Sequence, residues 1–284
     1  MSATPYVTAA EFTAHPTYLD LDALRSGVSS ADAQTAALVN ILLKASAWAD
    51  GHCNQPLGAH QVQLRTQGRV DRDGNLVVFP SDRPVLSVDA VSYGSTFTSM
   101  TTVENPIARV NRDQTILIPV GRSAAISGGR VYVDLTYTAG WVSTILAADA
   151  FEDASSLTVA DPTGILPGAS YRLWEPGVEE TVTVASSYTP PPVTTPPTPA
   201  VVPLATPTLF THNEGAGWSG MTADMRLAVI NYAVSLLMRP DTTAEDSYPD
   251  TSLSSSTRQN DSRQDGSGLV KEAERILNSY ARRM

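Results

Sequence analysis

Residues 130–137, Arg130-Val131-Tyr132-Val133-Asp134-Leu135-Thr136-Tyr137, alternate polar and apolar side chains without interruption. Successive side chains on a strand point to opposite faces, so this stretch predicts a strand with one buried and one wet face. On either side of it lie shorter runs of the same character. Val62-Gln63-Leu64, Leu76-Val77-Val78-Phe79, Val85 to Tyr93 and Ile116-Leu117-Ile118 are rich in β-branched and aliphatic residues. Asp73-Gly74-Asn75 separates two of these runs and suits a turn, because Gly and Asn tolerate positive φ. Residues 60–137 therefore predict a small, mostly antiparallel sheet.

Helical signals flank the sheet. Thr8-Ala9-Ala10-Glu11 fits a capping box, with Val7 and Phe12 placed as a hydrophobic staple, and Pro16 ends the helix early. Leu19, Leu21 and Leu24 supply anchors before Gly27. A second box at Ser29-Ser30-Ala31-Asp32 starts the stripe Leu38, Ile41, Leu42, Ala45, Trp48, Ala49, which runs to about Cys53 and stops before Pro56. Downstream, Thr222 caps a helix with Asp224 in its first turn. Met225, Val229, Tyr232 and Leu236 share one face, and Leu227, Ile230, Val234 and Leu237 widen it, so this helix must be buried on several sides. Arg239-Pro240 ends it, and residues 241–267, rich in Asp, Ser and Thr, predict a linker. A last helix starts near Ser267-Gly268. Leu269, Ala273, Ile276 and Tyr280 recur at 4-3-4 spacing, with Leu277 beside them, and Arg282 and Arg283 suit the negative end of its dipole. An amphipathic helix on a polar tether is expected to dock into a neighbour, with packing onto the chain's own core as the alternative.

Between the sheet and the later helices lies a second β segment. Leu157-Thr158-Val159, Tyr171-Arg172-Leu173-Trp174 and Glu180 to Val184 are its strands, with turns at Pro162-Thr163-Gly164 and Pro167-Gly168. Eight prolines follow between Pro190 and Pro207. Proline fixes φ and removes a donor, so an extended arm rather than sheet is expected there, with strand character resuming at Thr208-Leu209-Phe210. The fold class expected is α+β: a helical core (helices near 31–53, 222–239 and 268–282), a small antiparallel sheet, and an inserted all-β domain. The corresponding boundaries are 1–144, 145–217 and 218–284.

Composition narrows the function. The chain is 42% hydrophobic and 17% charged, with 18 Gly and 20 Pro, which is a loop-rich globular composition and not a disordered one. No run approaches a membrane span and the N-terminus has no secretory pattern, so synthesis in the cytoplasm and no membrane association are expected. One cysteine, Cys53, permits no internal disulfide. The net charge of −10 is unevenly spread. Residues 145–215 hold 8 acids against the single base Arg172, or −7, whereas 1–144 (12 acids, 10 bases) and 216–284 (9 acids, 8 bases) sum to −2 and −1. A DNA-gripping surface would show a basic stripe instead.

No residue pattern supplies an enzyme's chemistry. Gly266-Ser267-Gly268 lacks the third glycine of a phosphate loop, and no His-Glu-x-x-His, Gly-x-Ser-x-Gly or Cys-x-x-Cys occurs. The four histidines His15, His52, His60 and His212 show no ligand spacing with Cys53. Asp71 to Asn75 partly resembles a calcium loop, but Leu76 stands where its glycine belongs and the bidentate Glu is missing. His52 and Cys53 are adjacent on a helix and so point about 100° apart, the wrong geometry for a catalytic pair. The paired acids Asp20/Asp22 and Glu179/Glu180 have no partner general acid, and the sequon at Asn260 has no use without secretion. Neither metal, cofactor nor catalysis is expected.

Three patches together resemble the head-to-tail adaptor, or head-tail connector, family of tailed bacteriophages. They are Tyr6-Val7-Thr8-Ala9-Ala10-Glu11-Phe12 continuing through Thr17 to Asp22; Leu42 to Asp50 followed by Cys53-Asn54-Gln55-Pro56-Leu57; and Asp224 to Val229 through Leu236-Leu237-Met238-Arg239-Pro240. The resemblance spans roughly 1–140 and 218–284. It implies a structural virion protein of the phage neck, assembled in the host cytoplasm as a ring of about twelve copies. The ring would sit between the portal protein and the stopper, or head-tail completion protein, with double-stranded DNA sliding through the lumen without sequence-specific contacts. It also implies that the last helix engages the portal, through Leu269, Ala273, Ile276, Leu277, Tyr280, Arg282 and Arg283. The sequence departs from the family after Tyr137-Thr138-Ala139-Gly140-Trp141, where the acidic β segment and proline arm stand in place of a short loop. Two rival readings are another neck component, such as the stopper or tail-completion protein, and a carbohydrate- or receptor-binding module suggested by Tyr171 and Trp174. The long helices at 31–53 and 222–239 disfavour the small β-barrel of a stopper.

Overall fold

A computed structural model describes residues 4–17, 19, 21, 30–104, 106–121, 130–238 and 266–282. Leu24, Gly27 and positions 241–265 of the expected linker lie outside the described residues. The fold is α+β, as the alternating and helical patterns require. The chain divides into two compact units: Met1–Asn54, Trp174–Glu179 and Met221–Met284 form one, and Gln55–Leu173 and Glu180–Gly220 the other.

The first unit is helical. In α1 (Ala9–Ala14), the Thr8 side chain accepts from the Glu11 amide, and Val7 and Phe12 are both fully buried, as a cap and staple require. Helix α2 (Ala31–Cys53) is capped by Ser30, whose side chain accepts from Ala33 N, and it ends where Asn54 turns left-handed at φ 58°. Asn tolerates that conformation, and Pro56 prevents any continuation. Leu38, Leu42, Ala45, Ala49 and Cys53 form its buried stripe. Helix α3 (Ala223–Met238) buries Met225, Ala228, Val229, Ile230, Ala233 and Val234, so its wide apolar face is used on several sides, while Leu227 stays exposed. The last helix, α4 (Ser267–Leu277), packs on α3 and α2. Gly266 opens it at φ 71°, where any other residue would be strained, and a Cβ there would come within 2.9 Å of Ser235 Cα. That glycine is what lets the start of α4 lie against the α3 backbone.

The second unit is built on a seven-stranded antiparallel sheet, ordered β4-β3-β7-β1-β2-β6-β5. Its strands are β1 (His60–Val70), β2 (Asn75–Val78), β3 (Val85–Thr96), β4 (Ser99–Val103), β5 (Arg109–Val110), β6 (Ile116–Pro119) and β7 (Arg130–Ala139). Strand β7 pairs with β1 from His60↔Ala139 to Arg69↔Arg130 and buries Val131, Val133, Leu135 and Tyr137, the alternation read from the sequence. The Asp71–Asn75 segment is a turn: Asp71 Oδ1 accepts from the Asp73 and Asn75 amides at 2.9 and 2.8 Å, and Gly74 has φ 83°.

The same unit contains β8 (Ser143–Ile145), β9 (Ser156–Val159), β10 (Ser170–Glu175), β11 (Val178–Thr183), β12 (Ala200–Pro203) and β13 (Gly217–Ser219), apart from the Trp174–Glu179 turn that joins β10 to β11. Strands β11-β10-β13-β8 form one sheet and β12-β9 another. They close over an apolar core of their own, with Leu146, Val159, Ile165, Leu173, Val184 and Trp218 wholly buried. Two local expectations are corrected. Part of the proline-rich stretch is strand: β12 pairs with β9 through Val202↔Leu157, and its proline, Pro203, stands at the strand end in a two-stranded ladder, where a missing donor is tolerated. Thr208-Leu209-Phe210 is not strand; β13 follows it and pairs with β8 through Trp218↔Thr144. That pairing also puts Ile145 opposite Gly217, so the two ends of the intervening segment are neighbours.

Candidate functional site

The residues expected to meet a partner lie on and after α4, and the structure divides them. Ala273, Ile276 and Leu277 are buried within the chain's own helical unit. Leu269 and Tyr280 are half-buried, Arg282 is exposed, and Arg283 lies outside the described residues. The Tyr280 hydroxyl donates to Asp224 Oδ2 at 2.8 Å and lies 3.0 Å from Thr222 Oγ1, which fastens the end of the chain to the start of α3. Hydrogen bonds, that from Thr222 first, hold the Asp224 carboxyl below its usual range, while burial foremost pushes the Tyr280 hydroxyl up. The Arg282 amide donates to Cys53 O at 3.0 Å, and Cys53 Sγ lies 3.7 Å from Leu277 O. The apolar stripe of α4 is therefore used internally. The exposed positions on this helix and after it include Gly268, Lys271, Arg275 and Arg282.

Other long-range links complete this unit. Arg226 Nε donates to Glu11 Oε1 at 3.1 Å and its guanidinium also reaches Met221 O at 2.7 Å, joining α1 to α3. Tyr6 donates through its amide to Ser46 Oγ and through its hydroxyl to Asp50 Oδ1. Trp48 stacks on Tyr232 with ring centroids 3.9 Å apart. No spacing rule connects residues so far apart in sequence, so none of these pairs was visible before the fold was known.

The ionisable groups singled out from the sequence are held in structural roles. Burial, aided by Asp50, pushes the Cys53 thiol up to about 12, so it stays protonated and is no nucleophile. The Asp71 carboxyl is held low first by the Asn75 amide, and its oxygens are engaged by the turn. Glu180 and His212 form a buried pair at 2.9 Å, and the second Glu180 oxygen accepts from Leu209 N, so the pair organises a loop. Among the described residues, no group of three or more His, Cys, Asp or Glu side chains is placed to hold a metal ion. No helix among them is long and apolar enough to cross a membrane.

The three patches that resemble the adaptor family fall on α1, on α2 and the residues after it, and on α3; Tyr18, Asp20, Asp22, Arg239 and Pro240 lie outside the described residues. No family model matches the chain, and no curated protein matches it. Among solved structures, it is similar to a chain in the neck of an empty GTA particle, at 28% identity, with a TM-score of 0.26, over 47% of this chain and 69% of that one. That neck was computed with C6 symmetry, and this corrects the expected number of copies: the neck that holds the similar chain is described by sixfold and not twelvefold symmetry.

Proposed function

We propose that this protein is a structural, non-enzymatic component of the neck of a tailed-phage-like particle, an adaptor between the portal and the next neck protein, around the path of the DNA. The observation that carries the reading is the helical unit. Of three stretches that resemble the adaptor family, two precede the whole β region in sequence and one follows it, yet α1, α2 and α3 pack into one body. The exposed positions Lys271, Arg275 and Arg282 are the part of the last helix and its end left to meet the portal. Ala273, Ile276, Leu277 and Tyr280 act indirectly, by holding that surface in place.

The test is to mix the purified chain with the portal protein of the same particle and to image the product by electron microscopy. An added layer of density on the portal is the expected result. A portal that acquires none at physiological salt contradicts the reading.

A further inference from the structure

Directly opposed residues in a sheet point to the same side, so register shows which residues share a face. Arg130 pairs with Arg69, Arg69 with Val77, Val77 with Leu117, and Leu117 with Arg109. One row across five strands thus carries three arginines, on the side opposite the core residues Val131, Leu76 and Ile116. All three arginines are exposed, and the ion pairs among the described residues involve none of them. Like charges directly opposite each other destabilise a sheet unless something anionic lies over them. Beside the row, Phe79 is 63% exposed, and with Arg69, Arg130, Gln67 and Val77 it borders a depression of about 430 Å³. The face is basic and apolar together.

The acidic β region presents the complementary chemistry. Phe151, Leu209 and Phe210 are 73%, 67% and 46% exposed, on two segments joined by the Ala150↔His212 bridge. Asp149, Glu152, Asp153 and Glu214 accompany them on the same segments and are exposed. The loops are held from within: Glu180 accepts from Leu209 N, and Thr208 Oγ1 donates to Phe151 O and accepts from Ala154 N. Such support fixes the backbone that carries these apolar side chains before any partner arrives, which lowers the ordering cost of binding.

We infer that the arginine row with Phe79 on one copy of this chain receives the acidic Phe151–Leu209–Phe210 tip of a second copy. Charge complementarity selects that occupant: residues 145–215 sum to −7, and the row offers three cations beside apolar surface. Because the two patches differ, the contact is head-to-tail, and each copy keeps one patch of each kind open for a further copy. The inference does not depend on the neck reading, since it concerns the chain alone.

The test uses the full chain without portal, by analytical ultracentrifugation and cross-linking. The wild type self-associates, and more weakly at high salt. R69E/R130E and E152K/D153K each weaken association about tenfold or more, because like charges then face each other, and mixing the two variants restores it. Every substitution is at an exposed position; circular dichroism checks the folding, and R69Q/R130Q and E152Q/D153Q replace any variant that fails to fold. A wild type that stays monomeric overturns the inference, as do variants that associate like the wild type. Loss of binding to a short DNA duplex in R69E/R130E, with self-association unchanged, overturns it in favour of a nucleic-acid surface.

Discussion

In the helical unit, elements far apart in sequence are joined by side-chain links: Glu11 to Arg226 between the two ends of the chain, Tyr6 to Ser46 and Asp50 on the N-terminal side, and Tyr280 to Asp224 on the C-terminal side. In the β region, neighbouring strands are joined by backbone ladders instead, and side chains fill two separate apolar cores. Cutting one side chain should therefore act over long sequence distances in the first and locally in the second.

Leu173→Ala empties a fully buried site in the β region and should cost about 3 kcal/mol or more. Hydrogen exchange followed segment by segment should accelerate in β8–β13 and leave α2 and α3 unchanged; equal acceleration everywhere would show that the two regions unfold as one. Arg226→Ala takes the guanidinium away from the Glu11 carboxylate at a largely buried position and should cost about 3 kcal/mol in urea unfolding. Exchange should then rise in both α1 and α3, and a change confined to α3 would mean that the link does not join the ends. Tyr280→Phe removes the bond to Asp224 and should cost about 1 kcal/mol. Cys53 reports the same event chemically: its thiol, near 12 in the folded chain, should resist alkylation at mildly alkaline pH and become more reactive when α4 is loosened. Arg65→Ala breaks an exposed cross-strand pair with Asp134 and should cost less than about 1 kcal/mol.

These contrasts also explain what could be read from sequence. Local periodicity and caps are short-range, so β7, Thr8, the stripe of α2 and the start of α4 were all legible before the fold. Strands β4 and β5 were not, because they lie at the sheet edges and lack the alternation that a buried face imposes. Strand β12 was hidden by the prolines around it, and β13 by its length of three residues. For α4 the sequence showed an apolar stripe but not what covers it. The same pattern serves a partner or the chain's own core, and here Ala273 and Leu277 are buried in the chain itself. The arginine row is visible only through register, since Arg69, Arg109 and Arg130 come from three separate strands.

If the helical unit carries the neck function, the β8–β13 segment is dispensable for attachment. Its ends are paired at Ile145↔Gly217, so a short Gly/Ser linker can replace residues 147–215 at little loop-closure cost. The decisive measurement images the portal mixed with either the full chain or this shortened chain. Both should add a layer to the portal, the shortened one with correspondingly less density. A shortened chain that keeps its helical circular dichroism but adds no density would show that residues 147–215, which include the Trp174–Glu179 turn, and not the helices alone, make the attachment.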